Sequence, residues 1–239
     1  MTSKPDKIYL IHYTKLTDRL AKIKPILDAT GIPWEIIAAY DKEFFIDYPE
    51  QLREVYRTEP DIFKQKVGSL WDSNVHHYRE LNLPEISCTA KHIMALAKIS
   101  MECPNYGMIL EDDAVFEPEF ADKFRKYMND TPEDWDAIFM GEGCGVDYQK
   151  SRISRGQAYS DNCFRVGHPA TNCAEAYLIK PDIAKLIVQS VIPFHLVSDW
   201  ELAYQFYKFD AIVYWWVPSI VSQGSKDGSY KSELDLGQR

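Results

Sequence analysis

Residues 7–39 hold two short apolar runs on either side of a helical repeat, and that order leaves few folds open. Lys7-Ile8-Tyr9-Leu10-Ile11 is nearly continuous in apolar side chains, as strands buried on both faces are. Leu20, Ile23, Ile26 and Leu27 then recur at helical spacing, and Gly31 is a natural stop. Trp34 to Ala39 reads as a second strand. A strand, a helix and a strand in succession point to an α/β fold with a mostly parallel sheet flanked by helices. Ligands of such sheets bind beyond the carboxyl ends of the strands, and Asp41 stands just past the second one. The alternation continues downstream. Ile86, Ala90, Ile93, Met94, Ala97 and Met101 mark one stripe of a helix. Strands are expected at 106–113, Asp136–Met140, Cys173–Lys180 and Ala211–Val217, the last stopped by Pro218. Helices are expected at Pro118–Met128, at Pro181–Ser190 and from Ser198 onward.

Two stretches are less periodic. Between Lys42 and Leu83 short helices are expected near Pro49–Tyr56 and Leu70–Glu80, and Val146–Ala170 reads as loop. No linker divides the chain, so residues 1–221 are expected to form one domain. The polar tail, 222–239, is expected to be disordered or to act as a lid that orders on ligand. With 239 residues the chain can bury a core without disulfides. A net charge of -9 argues against bulk binding to nucleic acid or to an anionic membrane surface. The five cysteines are odd in number and lack a C-x-x-C pair. Free thiols in a reducing compartment are therefore expected, with neither a zinc site nor a disulfide framework. No apolar run approaches the ~20 residues of a membrane span, and the first residues do not read as a signal peptide. A cytoplasmic location, allowing peripheral contact with a membrane, is the expectation.

The chemistry concentrates at Gly107-Met108-Ile109-Leu110-Glu111-Asp112-Asp113-Ala114-Val115-Phe116. An apolar strand ends there in three adjacent carboxylates. Alternation sends Glu111 and Asp113 one way and Asp112 the other. Two unit charges ~4 Å apart repel by roughly 4 kcal/mol at an effective dielectric near 20, so a pKa must rise or a cation must sit nearby. Oxygen ligands in this arrangement suit Mg²⁺ or Mn²⁺. Acidic residues also end strands and cap helices, so the triplet alone leaves both readings open. Ser198-Asp199-Trp200-Glu201 has the form of a capping box, with Ser198 as N-cap. Asp199, in the first turn, is less well explained by capping. His76-His77 are adjacent and do not face one point on a helix, and packing is the expected role of His92. Gly141-Glu142-Gly143-Cys144-Gly145 lacks a nucleotide-loop pattern. Arg152, Arg155 and Arg165 could contact a diphosphate or a sugar.

Taken together, the segments resemble glycosyltransferase family 25. Ile8-Tyr9-Leu10-Ile11 followed by Asp18-Arg19 is similar to the family's opening strand and Asp-Arg pair. Ala38-Ala39-Tyr40-Asp41 is like its next strand end. Ser87-Cys88-Thr89-Ala90-Lys91-His92 resembles its Gly-Cys-x-x-Ser-His helix start, with Ser87 in place of Gly and Lys91 in place of Ser. Leu110-Glu111-Asp112-Asp113-Ala114 resembles its acidic motif, and Trp135-Asp136-Ala137-Ile138-Phe139-Met140-Gly141 its Trp-Asp strand. Ala176-Tyr177-Leu178-Ile179, Ser198-Asp199-Trp200-Glu201-Leu202 and Pro218 to Gln223 have counterparts downstream.

The resemblance implies a GT-A-type, Rossmann-like nucleotide-binding domain. It further implies a metal-dependent, inverting transfer of galactose or glucose from a UDP-sugar to a glycan, lipid-linked or protein acceptor. On that basis Asp113 would hold Mn²⁺ or Mg²⁺. Arg19, Asp41, Glu111 and Asp112 would meet the nucleotide sugar. Asp199 would be the catalytic base, with Glu201 as the alternative because capping already employs it. Two other functions stay open on sequence alone. The departures at Ser87 and Lys91, with the aromatic content, would suit a non-catalytic module that binds nucleotide sugars or carbohydrates. The acidic cluster would also suit a metal-dependent phosphohydrolase.

Overall fold

The computed structural model describes residues 4–71, 76–141, 153–170, 173–227 and 230. The chain opens with β1 (Lys7–Ile11), α1 (Thr17–Thr30) and β2 (Trp34–Ile37), then three short helices, α2 (Lys42–Asp47), α3 (Pro49–Val55) and α4 (Pro60–Leu70). The long α5 (Leu83–Glu102) leads into β3 (Gly107–Glu111), β4 (Ala114–Phe116), α6 (Phe120–Asp130) and β5 (Ala137–Phe139). Then come β6 (Ile153–Ala158), β7 (Cys163–Val166), β8 (Ala176–Ile179), α7 (Pro181–Val188), α8 (Ser198–Lys208) and β9 (Val213–Trp216). The described chain closes with β10 (Val221–Gln223) and α9 (Gly224–Asp227).

Eight strands form one sheet in the order β2-β1-β3-β8-β5-β9-β7-β6. β1 is parallel to β2 and β3, and β5 is parallel to β9. β8 runs antiparallel to both of its neighbours, β3 and β5, and β7 antiparallel to both of its own, β9 and β6. Six of the eight strands therefore point one way, and the expected mostly parallel, Rossmann-like α/β class holds. β4 and β10 make a separate antiparallel pair.

The side-chain period of a strand divides the core in two. Tyr9, Ile11, Ile109, Phe139, Tyr177 and Trp215 face one side, where α5, α7 and α8 supply Leu96, Ile183 and Phe206. Ile8, Leu10, Met108, Leu110, Ile138, Leu178 and Trp216 face the other, against Ile23 and Leu27 of α1 and Phe124 and Met128 of α6. The helix α5 lies very close to β3. A Cβ built on Gly107 would stand 2.5 Å from a side-chain carbon of Ile99, so only glycine allows that approach.

Several expectations change. Instead of a helix over Leu70–Glu80, α4 occupies Pro60–Leu70 with Pro60 in its first turn. The proline starts this helix, since its fixed φ suits the first helical position. Part of the supposed loop at Val146–Ala170 is the hairpin β6–β7, added at the sheet edge beside β9. Its strands are short, and Phe164 and Arg165 are only half-buried, so they carry little apolar signal. The start of the polar tail is ordered, because β10 pairs with β4 in the register Val221–Phe116. Cys88, Cys103 and Cys163 are free thiols as expected. Cys173 is disulfide-bonded, to a partner outside the described residues, and corrects the expectation of free cysteines throughout. The Gly141 to Gly145 turn beyond its first residue, Arg152 and residues 231–239 also lie outside the described residues; of Arg155, only its place in β6 is described.

Candidate active site

A cleft of about 400 Å³ opens at the ends of β1 and β3, where a doubly wound sheet offers its ligand site. Because β8 is reversed, the residues just before it, Cys173 and Ala174, reach the same edge. One flank comes from the first half of α5, with Ser87, Cys88 and Lys91. The N-terminus of α8 brings Ser198, Asp199 and Trp200, and the end of β10 with α9 brings Gln223 and Ser225.

Strand β3 ends at Glu111, so Asp112 and Asp113 lie in the turn after it rather than in strand alternation, and the three carboxylates do different work. Asp112 is buried and fully engaged. His12 Nδ1 lies 2.8 Å from its Oδ2, the Tyr13 N–H donates to the same oxygen at 3.3 Å, and Arg19 donates to Oδ1 at 2.7 Å. It ties the loop after β1 to α1. Glu111 is held on the opposite side. His92 Nε2 lies 3.1 Å from its Oε1, and Gln223 donates to Oε2 at 3.4 Å. Asp113 is 4% exposed and its Oδ1 has no hydrogen-bond partner among the described residues. Burial, then the nearby charge of Glu111, pushes its pKa up to about 6, against the pull of a hydrogen bond from Ser225 and of Arg19.

The other candidates are spread around this centre. Asp41 is not part of the cleft wall. It accepts hydrogen bonds from Thr14 and from Lys91, whose ammonium also donates to the His12 carbonyl. Lys91, conspicuous as a departure in the sequence, thus links α5, the loop after β1 and the start of α2. Arg19 lines the cleft, paired with Asp112 and 3.9 Å from Asp113. Asp199 also lines it, and its Oδ1 accepts the Trp200 N–H at 2.9 Å.

Glu201 does not reach the cleft, and the expected capping box is not formed. Val197 is the N-cap of α8, and no side chain caps the helix. Glu201 instead turns inward, 2% exposed, to Lys66 at 2.7 Å and 2.9 Å. It also accepts from the backbone N–H groups of His195 and Leu196 and from Gln205. The box appears at α5, between Asn82 and Glu85, where the sequence reading did not place one.

Sequence reasoning also missed His12, Gln223 and Ser225. His12 and Gln223 each carry a buried polar atom, Nε2 and Oε1, with no partner among the described residues. The signal for His12 was its place directly after an apolar strand. Gln223 and Ser225 stand in a polar segment that looks like a tail.

One group of three His, Cys or carboxylate side chains among the described residues is placed closely enough to hold a metal ion. The ligand atoms of Cys88, His92 and Glu111 lie within 4.8 Å of one another. His92 also meets the Tyr177 hydroxyl at 3.2 Å. Burial, then the Glu111 charge, holds the Cys88 thiol well above its usual range, so it is protonated there. This set mixes soft and hard donors, whereas Asp113 with Glu111 offers oxygen alone. Oxygen donors fit a hard divalent ion and the mixed set fits a borderline one. The Asp113 oxygen that has no partner among the described residues, with the charge of Glu111 nearby, is a donor type that fits a hard divalent ion.

The model of glycosyltransferase family 25, described as LPS biosynthesis protein, matches residues 5–201. The chain belongs to glycosyltransferase family 25. It is a glycosyltransferase, an enzyme that works on a sugar donor and a glycan acceptor. The match spans β1 to the first turn of α8 and so takes in the acidic strand end, the start of α5 and Asp199. Comparison with curated proteins gave no match. No described helix of this family 25 chain is long and apolar enough to cross a membrane.

Proposed function

We propose that this family 25 enzyme moves galactose or glucose from a UDP-sugar to an acceptor hydroxyl on a glycan, lipid-linked or protein substrate, with inversion at the anomeric carbon. The carrying observation is the buried Asp113 oxygen that has no partner among the described residues, near Glu111, in a cleft that also holds Asp199. Asp113 and Glu111 would hold Mn²⁺ or Mg²⁺, which would neutralise the donor's diphosphate and the departing nucleotide.

Asp199 takes the proton of the acceptor hydroxyl. The acceptor oxygen forms a bond to the anomeric carbon as the bond from that carbon to the UDP oxygen breaks, and UDP leaves with the electron pair. Asp199 stands in the first turn of α8, at the cleft wall. Arg19, Asp112 and Asp41 support the donor side by position. Arg19 and Asp112 fix the loop after β1 against the acidic strand end, and Asp41 acts through Lys91. Gln223 and Ser225 line the cleft and would form part of a donor-side cover. The family description favours a lipid-linked acceptor.

Calorimetry of UDP binding with and without Mn²⁺, followed by hydrolysis of a panel of nucleotide sugars, tests the reading. Metal-assisted UDP binding and turnover of a UDP-hexose are expected. Absence of both would remove the donor assignment.

A further inference from the structure

A second cavity, of about 230 Å³, adjoins the first. Phe63, His76, His77 and Trp200 form much of its wall, and Arg79, Val197 and Trp200 line both cavities. Trp200 follows Asp199 directly, so the second cavity begins where the proposed base stands. The Trp200 ring sits in an aromatic cluster, its centroid 4.6 Å from that of Trp71, tilted, and 4.8 Å from that of His76, edge to face.

Ordinary core packing does not account for this cavity. Protein interiors close to crystal-like density, and the closed part of this cluster is Phe63, Val67 and Leu196, while Trp71 and Trp200 are only partly buried. Around that closed part, the wall combines an indole face with two imidazoles. An aromatic face with a few convergent polar groups suits a small polar ligand that has an apolar side. A pyranose ring has that character, with a C–H face to stack and hydroxyls to hydrogen-bond. The charge balance favours a neutral sugar over a phosphate. Arg79, the one fixed cation among the described lining residues, donates two hydrogen bonds to Glu85, at 2.8 Å and 2.6 Å.

We propose that this second cavity is the acceptor subsite. A pyranose ring of the acceptor stacks on Trp200, contacts His76 and His77, and presents a hydroxyl to Asp199. The assignment rests on the proposed glycosyl transfer and names where its second substrate sits.

Saturation-transfer NMR tests it, using the methyl β-glycosides of galactose, glucose and N-acetylglucosamine as probes in the presence of UDP. At least one glycoside is expected to receive saturation. Trp200→Ala and His76→Ala are expected to weaken its binding about three- to tenfold, while Trp200→Phe, which keeps a ring, retains it. UDP affinity of His76→Ala, measured separately by calorimetry, should match wild type and also reports that the variant is folded. Should Trp200→Ala fail to fold, His76→Ala decides. Absence of transfer to all three glycosides, or binding undiminished in His76→Ala, overturns the subsite. Loss of UDP binding in the wild-type protein would instead strike the donor reading, so the two failures are told apart.

Discussion

Asp113 and Asp199 are both carboxylates of one cleft, and their surroundings separate the roles proposed for them. Asp113 is buried beside Glu111 with its pKa raised to about 6. An acid whose folded pKa lies above its unfolded value binds its proton more tightly when folded. Its ionisation therefore lowers stability as pH rises from about 4 to about 6, and the loss persists above that. The cost reaches about 3 kcal/mol at most. In metal-free protein the melting temperature of Asp113→Asn, relative to wild type, should thus be higher at pH 8 than at pH 4. The same variant should weaken Mn²⁺-dependent UDP binding in calorimetry, and unchanged binding would take Asp113 out of the metal site. Asp199→Asn should behave differently. Turnover is expected to fall by about 10²–10⁴, with UDP affinity nearly unaltered. Loss of UDP binding instead would move Asp199 to the donor side.

The helix α8 carries Asp199 and Glu201 only two positions apart, about 200° around its axis. One faces the cleft and the other the core. The Ser-Asp-Trp-Glu pattern suggested a local cap for Glu201, because a sequence displays nearby partners and hides distant ones. Its real partner, Lys66 on α4, is 135 residues away. Asp112 was likewise legible as part of an acidic motif, while its commitment to His12 and Arg19 was not. Breaking the buried pair by Lys66→Met should cost about 3–5 kcal/mol, because Glu201 is left charged and buried. The double replacement Lys66→Met with Glu201→Leu should recover much of that in urea titrations. If the single change proves neutral, the pair does not fasten α4 to α8. A second fastening joins β1, β2 and α5 through Lys7, Glu35, Lys98 and Glu102. The hydrogen bond from Lys7, then that from Lys98, holds Glu102 down to about 2. An acid depressed in this way stabilises the fold above its ordinary pKa and loses that contribution as pH falls toward 2. The group is part-exposed, so solvent screens it. Glu102→Gln should lower the melting temperature slightly at pH 7 in low salt, and the gap should close near pH 2 or in high salt.

At the scale of the whole molecule, the strands were readable because buried strands are apolar runs, but their order was not. Ala176-Tyr177-Leu178-Ile179 is apolar in either direction and buried on both faces. Nothing local in it specifies that β8 runs backward between β3 and β5. That insertion joins two halves of the molecule. β3, with the acidic triplet, belongs to the half built around β1, whereas β5 and β9 belong to the later half. β8 hydrogen-bonds to both, pairing Leu178 with Met108 on one side and Ile138 on the other. The cleft depends on this seam, since the triplet stands on one side of it and α8 follows on the other. Leu178 is fully buried, and Leu178→Ala should cost about 2–5 kcal/mol. Four of the six tryptophans, Trp135, Trp200, Trp215 and Trp216, fall in the later part of the chain, whereas far-UV circular dichroism samples helices of both halves. If β8 makes the halves one cooperative unit, urea transitions by fluorescence and dichroism will coincide in wild type and shift together in Leu178→Ala. UDP binding should disappear at the same midpoint. Transitions that separate in the wild-type protein would mean that the halves fold independently and that the seam does not hold the site together.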